Sequence, residues 1–394
     1  MPLVEPRSAE PALLARAVEP PHPDIELGMK RARLTYAARI PSAGINRDTG
    51  LILYIGGYGM NAQDTFTTSL LSYLAERHNC GAATLDYFGA RMRAGILDRI
   101  VPHFDFFKNL AAHYGLSVTA PKGIAMEEIL ARIATLLAQN GVSQLPNDCL
   151  LLNHSEEYNS MGFLPALDGL AVCHDLLETF GLNKTRLFLL GTSYGGYIAG
   201  LMAKLAPRTF RMVVDNSGFS SADDDQAALL GLQNLFINGV AMLCQNVRTW
   251  SPDPRSPNFF SSARRAIRDL LRPEHVFPGT ARIYAYHSAT DTVAPTARKL
   301  RLRGVYQDRV AYELAIVDAS QIDGRLFKTL AHGMKASLRG LFDLSHEKFV
   351  RDGGALSDAT DFDRESDYVF ACGTEAYRLT FSPEYGVRAA LCAA

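Results

Sequence analysis

The sequence predicts an α/β fold: a mostly parallel central sheet flanked by helices, with two insertions and a C-terminal hairpin. Three observations lead there. Leu187-Phe188-Leu189-Leu190 is an apolar run of strand length that breaks into Gly191-Thr192-Ser193-Tyr194-Gly195. Apolar residues at helical spacing follow at once (Tyr194, Ile198, Leu201, Met202, Leu205) and stop at Pro207, so strand, sharp turn and helix succeed one another. Short apolar strands alternate with helical patterns along much of the chain, as expected of a parallel sheet covered on both faces. Downstream of Ser193, an aspartate and then a histidine fall in loops at strand ends.

Taken in order, residues 1–28 are rich in Pro, Glu and Ala and are expected to form an N-terminal arm. The main domain is expected over 29–349. It begins with strands at 34–40 and 51–55, the second running into Gly56-Gly57-Tyr58-Gly59. Glycines at a strand's end let the backbone approach a ligand closely. A helix over 67–77 and a strand over 80–87 follow. A first insertion, 88–161, holds Arg91, Arg93, Arg99 and Lys108, an aromatic group at Phe104, Phe106 and Phe107, and a helix over 125–139. It is too long for a plain loop and is expected to belong to a cap. An amphipathic helix over 162–180 leads to the Ser193 strand, and the next strand spans 210–214.

The second insertion, 220–278, contains an apolar stretch over 227–244 expected as a lid or core helix, the only tryptophan (Trp250), and a basic helix with Arg264, Arg265, Arg268 and Arg272. Strands over 281–287 and 312–317 bracket a helix over 297–303. A helix running to about 349 closes the domain, and 350–394 is expected as a polar loop followed by a hairpin, 368–372 with 376–381.

The totals narrow the function. Basic and acidic residues balance at 40 against 41, which gives no electrostatic case for nucleic acid or an anionic membrane surface. Six scattered cysteines without a C-x-x-C pair read as free thiols of a reducing compartment, and no apolar signal-peptide core is seen near the start, so the cytoplasm is the expected location. The stretch at 227–244 contains Gln233, Asn234 and Asn238, which argues against a membrane span. No metal or organic cofactor is implied.

Chemistry centres on Ser193. Turning from strand to helix within two residues brings the flanking chain so close that side chains would clash, and glycine at 191 and 195 removes the clash. The hydroxyl is a weak nucleophile and needs a base, which in turn needs a carboxylate to set its tautomer. Four histidines follow: His275, His287, His332 and His346. His332 alone sits in a loop-like setting after the last strand, beside Gly333, and is the expected base. Asp291, just past a strand end, is the expected acid, with Asp215 and Asp318 as rivals. The oxyanion hole is expected from the backbone N–H of Tyr194 plus that of Gly57 or Tyr58.

These motifs resemble the α/β-hydrolase superfamily over about residues 30–349. Gly191-Thr192-Ser193-Tyr194-Gly195-Gly196-Tyr197 is similar to the nucleophile elbow of its prolyl-oligopeptidase-like and esterase branch. His287-Ser288-Ala289-Thr290-Asp291-Thr292-Val293-Ala294-Pro295 resembles that branch's His-Gly-x-x-Asp-x-x-Val-Pro acid loop, with Ser288 in place of the glycine and the proline one residue late. The family's usual histidine before the oxyanion glycines is replaced by Ile55 or Gly56. Tyr54–Asn61, Glu157–Gly162 and Lys328–Met334 also resemble a bacterial hydrolase-like family found near surface-polysaccharide and flagellin-glycosylation functions. The resemblance implies a serine ester hydrolase or deacylase acting on a small-molecule or glycan-derived acyl substrate. A peptidase or amidase, an acyltransferase, and a non-catalytic scaffold in a glycosylation or secretion assembly remain the alternatives.

Overall fold

The computed structural model describes residues 13–20, 23–59, 62, 64–90, 104–117, 126–145, 152–153, 157–225, 232–246, 249–354 and 359–394. The strands, in chain order, begin with β1 (Leu13–Val18), β2 (Leu34–Arg39), β3 (Gly50–Ile55), β4 (Cys80–Asp86) and β5 (Leu152–Asn153). They continue with β6 (Leu187–Thr192), β7 (Met212–Asn216), β8 (Leu232–Ile237), β9 (Val240–Asn246), β10 (Arg282–Ser288) and β11 (Ala311–Val317). The last three are β12 (Ser366–Cys372), β13 (Glu375–Ser382) and β14 (Gly386–Ala393).

Eight strands form one sheet in the order β1-β2-β4-β3-β6-β7-β10-β11. β2 runs antiparallel to both β1 and β4, and the remaining pairs are parallel. This is the α/β-hydrolase fold. β3, β6 and β7 are almost wholly buried, which is why they read as unbroken apolar runs: helices cover both faces.

The helices begin and end where local chemistry dictates. Thr65–His78 starts at Asp64, whose carboxylate accepts from Thr67 N–H at 2.7 Å, and ends at Asn79 in the left-handed region, φ 47°. Phe163–Phe180 ends at Gly181, φ 60°, and packs its apolar residues against Tyr194–Leu205 and β3. Leu338–Arg351 lays Leu341, Phe342 and Phe349 into the core beneath β6 and β7.

The chain divides into two compact units, residues 1–90, 160–224 and 261–394 against residues 91–159 and 225–260. The second unit has its own core, built from Ala111 of the helix Phe104–His113, Leu130, Ile133 and Leu137 of the helix Met126–Gln139, Ile237 of β8, and Val240 and Met242 of β9. Trp250 is buried there, edge-on to Tyr158. Arg91, Arg93 and Arg99 lie outside the described residues.

Four expectations change. The apolar stretch expected as a helix over 227–244 is the hairpin β8–β9, with 226–231 outside the described residues. Its turn is Asn238-Gly239, with φ 47° and 87°, a pair that favours two-residue hairpin loops and outweighs the helical composition. Within the stretch expected as an arm, Leu13–Val18 forms the edge strand β1. The C-terminal hairpin has a third strand, β14, paired with β13. The loop after Arg351 contains a buried turn: Asp361 is fully buried and accepts from Thr209 Oγ1 at 2.9 Å and Tyr368 Oη at 2.7 Å.

Candidate functional site

The end of β6 and the helix after it set the position of Ser193. The residue takes φ 55°, ψ −124°, a strained combination for a non-glycine residue that a sharp strand-to-helix turn imposes. The tightness is measurable. A Cβ on Gly191 would lie 2.4 Å from the Gly195 carbonyl oxygen, and one on Gly195 would lie 2.0 Å from the Ile55 carbonyl oxygen. The second clash also shows that the elbow packs directly on the end of β3, where Gly57 and Tyr58 follow. The Ser193 N–H donates to Asn216 O at 2.8 Å, tying the elbow to β7.

His332 comes from the long connection after β11. Gly333 pins it: its N–H donates to Ser217 Oγ at 3.2 Å, and its carbonyl accepts from Asn216 Nδ2 at 3.3 Å. Ser288 Oγ donates to Leu330 O at 2.6 Å, bracing the loop from the other side. The Phe219 ring stacks on the imidazole at 6.3 Å between centroids, 27° from parallel. The His332 Nε2 lies 2.7 Å from Ser193 Oγ, and its Nδ1 lies 2.8 Å from Asp291 Oδ2 and 3.1 Å from Oδ1. A carboxylate only accepts, so Nδ1 carries the proton and Nε2 turns its lone pair to the serine hydroxyl.

Asp291 is held by the turn after β10. Its Oδ1 accepts from Val293 N–H and Ala294 N–H, both at 2.9 Å, and its side chain is fully buried. Burial pushes the carboxyl up. The bond to His332 and the two backbone N–H groups outweigh burial, and the net direction is down. His287, inside β10, braces the same turn by donating from Nε2 to Ala294 O at 2.7 Å. Burial, with Lys299 nearby, lowers its own pKa and keeps the ring neutral.

The rival acids are engaged elsewhere. Asp215 is ion-paired with Lys299 of the helix Thr296–Tyr306, both side chains buried, and it accepts from Gly218 N–H at 2.8 Å. Asp318 is exposed and caps the short turn Ala319–Gln321. The other histidines are also separate: His275 bonds Ala371 O, and His346 packs beside His78. Replacing Lys299 with methionine would strand the Asp215 charge in the interior. Lys299→Met is therefore expected to cost about 3–5 kcal/mol in urea unfolding, largely recovered by adding Asp215→Asn. A cost below ~1 kcal/mol would show that the pair is not holding this region.

Of the residues expected to supply oxyanion donors, Tyr194 opens the helix behind Ser193. The Tyr87 hydroxyl donates to Gly57 O at 3.2 Å, which orients the peptide between Gly57 and Tyr58. The Tyr58 ring stands edge-on to that of Tyr194, 5.6 Å away. Met60 and Asn61 lie outside the described residues. Sequence reasoning does not find Asn216 and Ser217 as supports of the histidine loop. Their signal, a short polar run after a buried strand, is shared by many ordinary turns. Among the described residues there is no group of three or more side chains placed to hold a metal ion, and no helix long and apolar enough to cross a membrane.

Comparison with known proteins gives three results. No curated protein matches the sequence. Solved structures that match include the acylaminoacyl peptidase of Pyrococcus horikoshii, 13% identical with a TM-score of 0.48, over 87% of this chain and 42% of that one. This chain thus spans less than half the length of that peptidase. Est1E from Butyrivibrio proteoclasticus is 12% identical with a TM-score of 0.45, over 86% of this chain and 99% of the esterase. Est2 from Thermogutta terrifontis is 10% identical with a TM-score of 0.45, over 88% and 94%. The model of the family described as "Protein of unknown function (DUF2920)" matches residues 19–384, and the chain belongs to that family.

Proposed function

We propose that the chain is a serine hydrolase of carboxylic esters, working on an acylated, glycan-derived small molecule in the cytoplasm. The observation that supports this most is the continuous line from Ser193 Oγ to His332 Nε2 at 2.7 Å and from His332 Nδ1 to Asp291 Oδ2 at 2.8 Å. Ser193 attacks the ester carbonyl while His332 takes its proton, and Asp291 stabilises the imidazolium. The N–H of Tyr194, with that of Gly57 or Tyr58, receives the developing oxyanion; one such donor is typically worth about 3–4 kcal/mol in the transition state. His332 then returns the proton to the departing alcohol. Water enters, gives its proton to His332, and attacks the acyl-enzyme, so that the acid leaves and Ser193 is restored. These steps need no metal or organic cofactor. The glycan-derived substrate class rests on the motif resemblance, and the location on Cys80, Cys173, Cys372 and Cys392, which are free thiols among the described residues.

A small fluorophosphonate probe tests the reading. Peptide mapping is expected to find the label on Ser193, and to find none there in a folded His332→Ala variant. A folded wild-type protein that stays unlabelled would point to a non-catalytic scaffold and sink the proposal. With a labelled serine in hand, 4-nitrophenyl esters are expected to turn over faster than matched anilides. The reverse order would favour a peptidase, and acyl transfer to an added alcohol at the expense of hydrolysis would favour an acyltransferase.

A further inference from the structure

We propose that Asn216 and Ser217 are positioning residues: together they hold the nucleophile and its base on one mount, and their side chains govern the reaction rate without touching the reacting atoms. The effect on rate rests on the serine-hydrolase reading; the mount itself does not.

Ser193 and His332 lie 139 residues apart in the chain, and their 2.7 Å contact needs a common support. The dipeptide at the end of β7 meets both. On the nucleophile's side, Asn216 O accepts from Ser193 N–H at 2.8 Å, and Asn216 Nδ2 donates to Thr192 Oγ1 at 3.2 Å. The turn also presses on the elbow helix: a Cβ on Gly218 would lie 2.7 Å from the Gly196 carbonyl carbon and 2.7 Å from the Tyr197 amide nitrogen. On the base's side, Ser217 Oγ accepts from Gly333 N–H at 3.2 Å, and Asn216 Nδ2 donates to Gly333 O at 3.3 Å. The first of these bonds fixes the peptide plane between His332 and Gly333, and the second fixes the next plane, so the backbone that carries the ring is held on both sides of Gly333.

Both residues give up local stability to make these bonds. Ser217 takes φ 59°, a left-handed backbone that costs a non-glycine residue energy. It is fully buried, and its N–H donates to Tyr286 O of β10 at 3.0 Å. Glycine would relieve that backbone, but it has no hydroxyl to offer Gly333. Asn216 turns its amide nitrogen to Thr192 and Gly333, and its Oδ1 is left buried without a hydrogen-bond partner among the described residues. Departures of this kind from local preference concentrate where a site must be held in one geometry.

Ser217→Gly tests the mount, with Asn216→Ala as its companion. His332-Gly333 is the only His-Gly pair in the sequence. Carbonyl-labelled histidine combined with amide-labelled glycine therefore selects one NMR signal, that of the Gly333 N–H. In Ser217→Gly this proton loses its acceptor, so the signal is expected to move upfield and its hydrogen exchange to quicken at least about tenfold. The second-order rate of fluorophosphonate labelling at Ser193 is expected to fall by about tenfold to a hundredfold, because the base is no longer held at its working distance.

With 4-nitrophenyl acetate the fall should appear in kcat and leave KM unchanged. The urea midpoint should stay near that of the wild type, since relief of the left-handed serine offsets the lost bond. A merely structural role would instead lower the midpoint and slow labelling only as far as the folded fraction falls. Asn216→Ala keeps the backbone bond to Ser193 and should also slow labelling and move the Gly333 signal. An unmoved Gly333 signal in Ser217→Gly, or labelling that slows no more than the folded fraction falls, would overturn the proposal. An unlabelled wild-type serine would defeat the hydrolase reading alone. The Gly333 signal would still decide the mount: displaced in Ser217→Gly it supports the mount, and unmoved it overturns it.

Discussion

Ser193→Ala is expected to lower ester turnover by about a millionfold while leaving the fold intact. The magnitude follows from removing a nucleophile that acts as a unit with its base, where single deletions cost about as much as removing the whole group. The residual rate, still about 10³–10⁴ above water, would come from oxyanion binding and substrate positioning alone. The fold should hold because, among the described residues, the hydroxyl has a single hydrogen-bond partner, His332, whose side chain is itself 20% exposed. Removing it leaves no buried polar group stranded, so unfolding free energy should move by no more than about 0.5 kcal/mol. Steady-state kinetics beside a urea melt checks both halves. An alanine variant retaining more than a hundredth of the wild-type rate would mean that another residue does the chemistry.

Asp291→Asn is expected to lower kcat by about 10⁴ with KM nearly unchanged, because the substitution changes a tautomer rather than a shape. Asparagine can keep the Oδ1 bonds from Val293 and Ala294 N–H. Its amide then presents donors where the carboxylate accepted from Nδ1 of His332. The ring answers by moving its proton to Nε2, and the lone pair facing Ser193 is lost. The variant should also differ in acid. The folded pKa of Asp291 lies below the ordinary carboxylate value, so its ionised form stabilises the folded state above pH ~3.9. That contribution disappears as the pH falls through the lower folded value, and the Asp291→Asn variant should lack this part of the acid limb in a pH series of melts. A tenfold or smaller fall in kcat would assign the acid's role to another group.

The two variants read different layers of the molecule. Ser193 owes its setting to a few neighbours in sequence, whereas the pairing of Asp291 with His332 joins residues 41 apart. That difference runs through the whole chain. The strands β3, β6 and β7 are readable as apolar runs because a sheet covered on both faces leaves no polar alternation. The hairpin β8–β9 reads as helix although Asn238-Gly239 marks its turn, because apolar composition alone does not distinguish short strands from a helix. The third C-terminal strand, β14, has a half-exposed pattern with small residues, and its pairing with β13 gives it a strand's environment.

Among the candidate acids, local pattern leaves Asp215, Asp291 and Asp318 open. Tertiary contacts separate them: Lys299 engages Asp215, Asp318 caps its own turn, and the chain after β11 brings His332 to Asp291. By itself, then, the sequence determined the features that arise within a few residues of chain. These are the elbow, since only glycine tolerates the contacts made by Gly191 and Gly195, and the strand and helix succession of the sheet. The tertiary structure alone decided which charged and polar groups meet, because ion pairs and hydrogen bonds depend on distances of a few ångströms between segments far apart in sequence.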